Sequence, residues 1–125
     1  RRGITPEGCS TYFLPRIAGL SKALEFLFTG DVISAEEALR LGIVSKVVAH
    51  DRLMSEAMKL AEKIAAKPPL AIRMMKRAVY QGLASTLRSH LDYISSQISL
   101  LSETNDHLEA ARAFLGKRKP KFKGK

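Results

Sequence analysis

Apolar residues recur along most of the chain at the three- and four-residue spacing of amphipathic helices. The clearest stripe lies in residues 53–64, where Leu53, Ala57, Leu60 and Ile64 fall on one face. We therefore expect a mainly α-helical protein. Equivalent stripes predict further helices near residues 10–17, 21–29, 35–41, 70–81, 85–101 and 105–115.

The predicted helix boundaries carry their own signals. Ser34 and Glu37 match a capping box, in which each side chain accepts a hydrogen bond from the backbone N–H of the other residue. Ser21 and Asp51 can cap the helices that follow them. Pro15 is expected to interrupt or kink the first helix. The glycines predicted to end helices are Gly30, Gly42, Gly82 and Gly116.

One segment departs from the helical pattern. Residues 43–48 (IVSKVV) are short, rich in β-branched side chains and partly alternating, and they predict a single strand. A lone strand cannot satisfy its own backbone groups. We therefore expect its partner strands, or loops that cover it, to lie outside this chain or in another subunit.

Composition fits one globular domain or part of one. The sequence has 125 residues, of which 46% are hydrophobic, and this is ample for a core. The net charge is +9, but six of the nine residues 117–125 are basic, which leaves 15 basic against 12 acidic residues elsewhere. The basic character is therefore mainly a property of the C-terminal tail.

Several classes of protein are disfavoured by the sequence. No uninterrupted apolar run approaches 18 residues, so no membrane span is expected. The single cysteine, Cys9, excludes an internal disulfide and suits a reducing compartment. His50, His90 and His107 lie far apart without acidic or thiol companions at ligand spacing, so no metal site is expected. The chain starts without Met or an apolar signal region, which suggests processing, truncation or a missing upstream segment.

Three stretches together resemble the crotonase (enoyl-CoA hydratase/isomerase) family, and their order and spacing also match over essentially the whole chain. The middle stretch is the most specific, because its Thr-Gly, Ile-Ser-Ala-Glu-Glu-Ala and Leu-Gly-Ile-Val runs are hard to obtain together by chance. The three stretches are residues 3–16 (GITPEGCSTYFLPR), residues 22–44 (KALEFLFTG, then ISAEEA and LGIV), and residues 113–122 (AFLGKRKPKF).

The resemblance is to the second half of the family's usual length. It implies a mainly α chain with one short strand, which is the C-terminal helical, trimerisation region of the α/β crotonase (ClpP/crotonase-like) fold. Residues 1–50 would form the end of the crotonase core, residues 51–116 the trimerisation region and residues 117–125 a basic tail. The implied assembly is a homo-oligomer, either a trimer or a hexamer.

The resemblance also implies chemistry on acyl-CoA thioesters. In the family, two backbone N–H groups stabilise the enolate and a carboxylate moves protons. CoA is part of the substrate, so no separate cofactor is implied. Those N–H groups, the hydratase glutamates and most of the CoA cradle lie upstream in relatives, so this chain alone is expected to be an incomplete active site. Hydration and isomerisation both stay open, and a non-catalytic oligomerisation module is the first alternative.

Glu7 is the candidate catalytic residue within the chain. It lies in a Pro-Glu-Gly turn, where the isomerase branch of the family places a Glu or Asp over the α and γ carbons of the substrate. One carboxylate suffices to move a double bond. Many hydratases have small residues where this chain has Glu7, Cys9 and Ser10, and this difference favours an isomerase. The alternatives are an ordinary Glu near a helix start and, for Cys9, a small buried thiol that fills the loop.

The basic tail is the last candidate site. Phe114 and Lys117, one turn apart, match an aromatic–lysine pair that contacts the adenine and phosphate of CoA in related enzymes. From Lys121 onward we expect a solvated, partly disordered terminus. A basic nucleic-acid-binding helical protein is the third alternative, although no motif indicates specific recognition. The favoured compartment is the cytoplasm. Mitochondria and peroxisomes stay open because the family occurs in all three compartments, although the tail lacks a peroxisomal Ser-Lys-Leu signal.

Overall fold

The computed structural model describes residues 3–125, which form seven α-helices in two compact units, Arg1–Leu53 and Met54–Lys125. The first two residues of the predicted N-terminal loop lie outside the described residues. Within the first unit α1 packs against α2, and within the second α5 packs against α6 and α6 contacts α7. The helices are α1 (Ser10–Ala18), α2 (Leu20–Thr29), α3 (Ala35–Arg40), α4 (Leu53–Ala65), α5 (Pro69–Gly82), α6 (Leu87–Ser102) and α7 (Asn105–Leu115).

The predicted strand at residues 43–48 is wrong, since residues 3–125 contain no β-strand. The backbone at the start of this segment instead caps the C-terminal end of α3. The N–H of Gly42 donates to Leu39 O (3.0 Å) and that of Ile43 donates to Ala38 O (2.9 Å). With Gly42 left-handed at φ 75°, this is the glycine-terminated helix end in which two carbonyls are satisfied. A β-branched run expresses a local preference, whereas a strand needs a partner for its ladder.

Helix starts follow the predicted caps only in part. Ser34 Oγ accepts a hydrogen bond from Glu37 N (3.1 Å), which is half of the predicted capping box. The other half does not form as predicted, because the Glu37 carboxylate instead binds Arg40 Nε (2.7 Å). Ser21 is not a cap, since α2 begins at Leu20 with Gly19 as its N-cap.

Two further departures concern single residues. Asp51 does not cap α4 but lies inside a 3-10 turn, His50–Arg52, that leads into it. Helix α1 runs through Pro15 without ending, and Arg16 donates from its guanidinium to Tyr12 O (2.7 Å). Pro15 has no N–H for the carbonyl of Thr11, and the Arg16 bond goes to the following carbonyl, that of Tyr12.

Neither unit encloses large side chains. The buried apolar residues among residues 3–125 are four alanines, and no large side chain there is fully buried. The expectation of an ample core is therefore wrong for this chain by itself. The apolar stripes formed, but Leu60 of α4 and Leu91 of α6 stay 54% and 56% exposed. An amphipathic stripe is stabilised only when another apolar surface covers it. The four buried alanines are Ala23, Ala38, Ala78 and Ala113.

Candidate functional site

Glu7 lies in a tight turn that leads directly into α1. Its carbonyl oxygen accepts hydrogen bonds from Ser10 N (3.3 Å) and Ser10 Oγ (3.0 Å). The next two residues, Gly8 and Cys9, are both left-handed, with φ 66° and 57°. The backbone of Glu7 is thus fixed by the turn, while its carboxylate has no hydrogen bond or ion pair within the described part of the chain.

Cys9 is not the buried, loop-filling thiol that the sequence predicts. Its side chain is exposed, and it makes no capping hydrogen bond although it occupies the N-cap of α1. Cys9 stabilises the start of α1 through its backbone, because its carbonyl oxygen accepts hydrogen bonds from Tyr12 N (2.9 Å) and Phe13 N (3.0 Å). A left-handed conformation is uncommon for a residue with a Cβ. The turn that presents Glu7 is therefore held by the start of α1.

A shallow cavity lies beside Glu7 within the first unit. Its other walls come from the N-terminal loop and from the last turns of α2, with Phe26 and Leu27 half-buried. Among the described residues that line it, Glu7 is the one ionisable residue and Thr5 is the one other with a polar side chain. A carboxylate beside an apolar surface can exchange a proton with a carbon atom that binds there. The lining residues are Ile4, Thr5, Pro6, Glu7, Phe26, Leu27 and Gly30.

Phe114 and Lys117 belong to the second unit, at the end of α7. The N–H of Lys117 donates to Phe114 O (3.2 Å), and the N–H of Arg118 donates to Ala113 O (3.0 Å). These two bonds end the helix in the same way as at α3. The left-handed residue is Lys117, with φ 48°, and not the predicted Gly116, whose φ is −80°. Phe114 is 84% exposed, so its ring is available for stacking.

The residues that follow do not form a free tail. We call residues 118–125 the C-terminal strap, because they run along α7 and are bonded to it by two carboxylates. Glu109 accepts from both terminal nitrogens of Arg118 (2.6 and 2.8 Å) and from Lys121 N (2.8 Å). The strap therefore differs from the disordered terminus expected from the sequence.

Asp106 holds the far end of the strap. Its two carboxylate oxygens accept from Lys123 N (2.6 Å) and Gly124 N (2.8 Å), and its own N–H donates to Lys125 O (3.2 Å). Asp106 is 3% exposed. A buried carboxylate is costly unless it is hydrogen-bonded, and these contacts meet that requirement.

Sequence reasoning missed both strap-binding carboxylates. Their signal is the three-residue spacing of Asp106 and Glu109, which places two acids on one face of α7 just before a basic segment. The Arg118 guanidinium and the Lys121 N–H lower the pKa of Glu109 from 4.5 to about 2, so this carboxylate is ionised at neutral pH.

Other chemistry is sparse in the part of the chain that the structure covers. Residues 3–125 contain no group of three His, Cys, Asp or Glu side chains placed to hold a metal ion. Within the same residues, no helix has the length and apolar character to cross a membrane. The predicted absence of a metal site stays a prediction.

Comparisons with known proteins agree on one family. The family model described as "Enoyl-CoA hydratase/isomerase" matches residues 1–125. The crotonyl-CoA hydratase of Syntrophomonas wolfei is 39% identical over 120 residues, which are 96% of this chain and 46% of that protein. The 1,2-epoxyphenylacetyl-CoA isomerase of Escherichia coli K12 is 33% identical over 123 residues, or 98% of this chain and 47% of that protein.

Solved structures give the same result. The crystal structure of an enoyl-CoA hydratase from Bacillus anthracis matches with a TM-score of 0.93 and 37% identity, over 98% of this chain and 48% of that chain. The chain thus spans about half the length of these relatives. The agreement in fold extends over nearly every helix described above.

Proposed function

Because this chain belongs to the enoyl-CoA hydratase/isomerase family, we propose that the protein that carries it acts on the double bond of an enoyl-CoA thioester. The observation that carries the proposal is Glu7, the one ionisable side chain among the described residues that line the cavity beside it, most of which are apolar. Relatives of this chain are named for both hydration and isomerisation. The single carboxylate in this cavity favours isomerisation.

The proposed chemistry moves one proton. The Glu7 carboxylate removes a proton from the α carbon of a 3-enoyl-CoA, and the electron pair is delocalised onto the thioester oxygen as a dienolate. The protonated Glu7 then returns the proton to the γ carbon, and the double bond lies between the α and β carbons. Two backbone N–H groups outside this chain would stabilise the enolate oxygen, and such donors are worth roughly 3 kcal/mol each in a transition state.

The test is Glu7→Gln in the protein that carries this chain. Glutamine keeps the size of the side chain but cannot accept the proton, so we expect isomerisation of a 3-enoyl-CoA to be abolished with affinity for the thioester nearly unchanged. Glu36→Gln, at an exposed glutamate of the same unit, is the matched control and should keep full turnover. Unchanged turnover in Glu7→Gln would overturn the catalytic role and would show that the base lies elsewhere in the protein, whereas no isomerisation even in the unsubstituted protein would favour a non-catalytic module or a hydratase.

The nucleotide end of CoA is proposed to lie against Phe114 and Lys117. Two features support this, the exposed ring of Phe114 and the fixed backbone link between the two residues. An aromatic face suits stacking on adenine, and an ammonium group suits a phosphate. We further propose that the protein forms a trimer or a hexamer through residues 51–116. We also propose that it works in the cytoplasm, and cell fractionation would test this location.

A further inference from the structure

We propose that Asp106 and Glu109 are positioning residues that hold Lys117 in place for the phosphates of CoA. The inference rests on the proposed function, because it assigns a role to residues that support the same nucleotide contact. Neither carboxylate needs to touch the ligand. Asp106 acts through the backbone of the C-terminal strap, and Glu109 acts through that backbone and the Arg118 guanidinium. The strap begins at Arg118, directly after Lys117.

The strap depends on these two carboxylates for its backbone hydrogen bonds. It forms no helix or strand, so its N–H groups need partners from elsewhere. Asp106 and Glu109 accept from the N–H groups of Lys121, Lys123 and Gly124. Without these acceptors, three N–H groups of the strap would lose the partners that they have on α7.

Lys117 lies at the junction between the helix and the strap. Its left-handed backbone (φ 48°) is unfavourable for a residue with a Cβ. Such a conformation persists only when the chain on both sides is fixed. Helix α7 fixes one side. On the other side, Arg118 is held by the bond from its N–H to Ala113 O and by its ion pair with Glu109. Release of Arg118 would let Lys117 leave this conformation and redirect its side chain.

The geometry separates positioning from ligand contact. Asp106 and Glu109 line a groove between α7 and the strap, and neither Phe114 nor Lys117 lines that groove. The carboxylates are therefore not part of the surface that Phe114 and Lys117 present. A lysine whose backbone is already ordered loses less freedom when it binds.

The experiment compares two substrates of the protein that carries this chain. One is an enoyl-CoA and the other is the matching enoyl-pantetheine thioester, which lacks the nucleotide. For Glu109→Gln and Asp106→Asn we expect the KM for the enoyl-CoA to rise roughly three- to tenfold. We expect kcat, and the KM for the pantetheine thioester, to stay unchanged.

Matched variants separate the possible outcomes. Glu103→Gln, at an exposed carboxylate before α7, should change neither substrate's KM. If Glu109→Gln does not fold, Arg118→Gln tests the same ion pair from the strap. Equal changes with both substrates, or no change with either, would overturn the positioning role. If Lys117→Ala itself leaves the KM for enoyl-CoA unchanged, the proposed nucleotide contact fails. If only Lys117→Ala raises it, the positioning role alone fails.

Discussion

Phe26 and Phe28 lie two residues apart on α2 but differ in surroundings. Phe26 is half-buried and lines the cavity beside Glu7, whereas Phe28 is 81% exposed and does not line it. Residues two apart on a helix do not share a face. The pair therefore provides an aromatic residue that can contact the substrate chain and a matched one that does not line the same cavity.

We expect Phe26→Ala to shift the preference of the protein toward longer acyl chains. Removal of the ring enlarges the apolar wall, and each additional buried CH₂ of substrate gains about 0.8 kcal/mol. The measurement is kcat/KM for enoyl-CoA substrates of increasing chain length, with Phe28→Ala as the control. An unchanged chain-length profile in Phe26→Ala would show that this cavity does not hold the acyl chain.

Single-residue features were only partly readable from the sequence. Glu7, Phe114 and Lys117 are candidates that the family resemblance proposes, and the structure adds their surroundings. Left-handed Cys9 and Lys117 could not have been predicted, because neither residue type favours that conformation. Each is held there by hydrogen bonds of its neighbours, which depend on the folded arrangement.

Helices were predicted well because their apolar spacing is a local property. The failures are elements whose state depends on partners. Residues 43–48 have strand composition but no ladder partner in residues 3–125, and part of their backbone caps α3. The C-terminal strap has the composition of a free tail, yet Asp106 and Glu109 hold it. Composition cannot report a hydrogen bond between segments that lie 12 to 18 residues apart.

The attachment of the strap should depend on pH. The pKa of Glu109 is lowered from 4.5 to about 2, chiefly by the Arg118 guanidinium. Because the pKa is lower in the folded state, the ionised carboxylate stabilises the attached strap above pH 4.5, and that stabilisation is lost as the pH falls toward 2.

We expect the amide proton of Lys121 to shift in NMR spectra across this pH range as the strap detaches. The amide of Ile72, which is bonded to the neutral carbonyl of Pro68, is the internal control and should stay constant while the fold persists. The Glu109→Gln variant has no titrating group at position 109, so its Lys121 amide should not respond over the same pH range. A Lys121 shift in Glu109→Gln that matches the unsubstituted protein would contradict the assignment to Glu109.

At the scale of the whole molecule, the described residues bury alanines and leave larger apolar side chains exposed. Three residues of α6 illustrate this, since Leu87, Leu91 and Ile98 are 75%, 56% and 61% exposed. Surfaces of this kind mark interaction sites. The rest of the protein, other subunits or both would cover them, which agrees with a chain that spans about half of its relatives.

We expect the protein that carries this chain to sediment as a trimer or a hexamer, with subunits joined through residues 51–116. Leu91→Lys places a charge on an apolar helix face and should raise the fraction of monomer, because a buried unpaired charge is costly. The matched control is Ser96→Lys, at an exposed polar position of α6 that does not share the helix face of Leu91. A monomer at all concentrations would contradict the proposed assembly.

The strap also bears on susceptibility to proteases. It carries a lysine at every second position from Lys119 to the end of the sequence, which would make a free segment an easy substrate for a trypsin-like enzyme. Such enzymes bind their substrates as extended chains through backbone hydrogen bonds. Here the N–H groups of Lys121 and Lys123 are already bonded to carboxylates of α7. Cleavage must therefore wait for the strap to detach, and its rate reports how often detachment occurs.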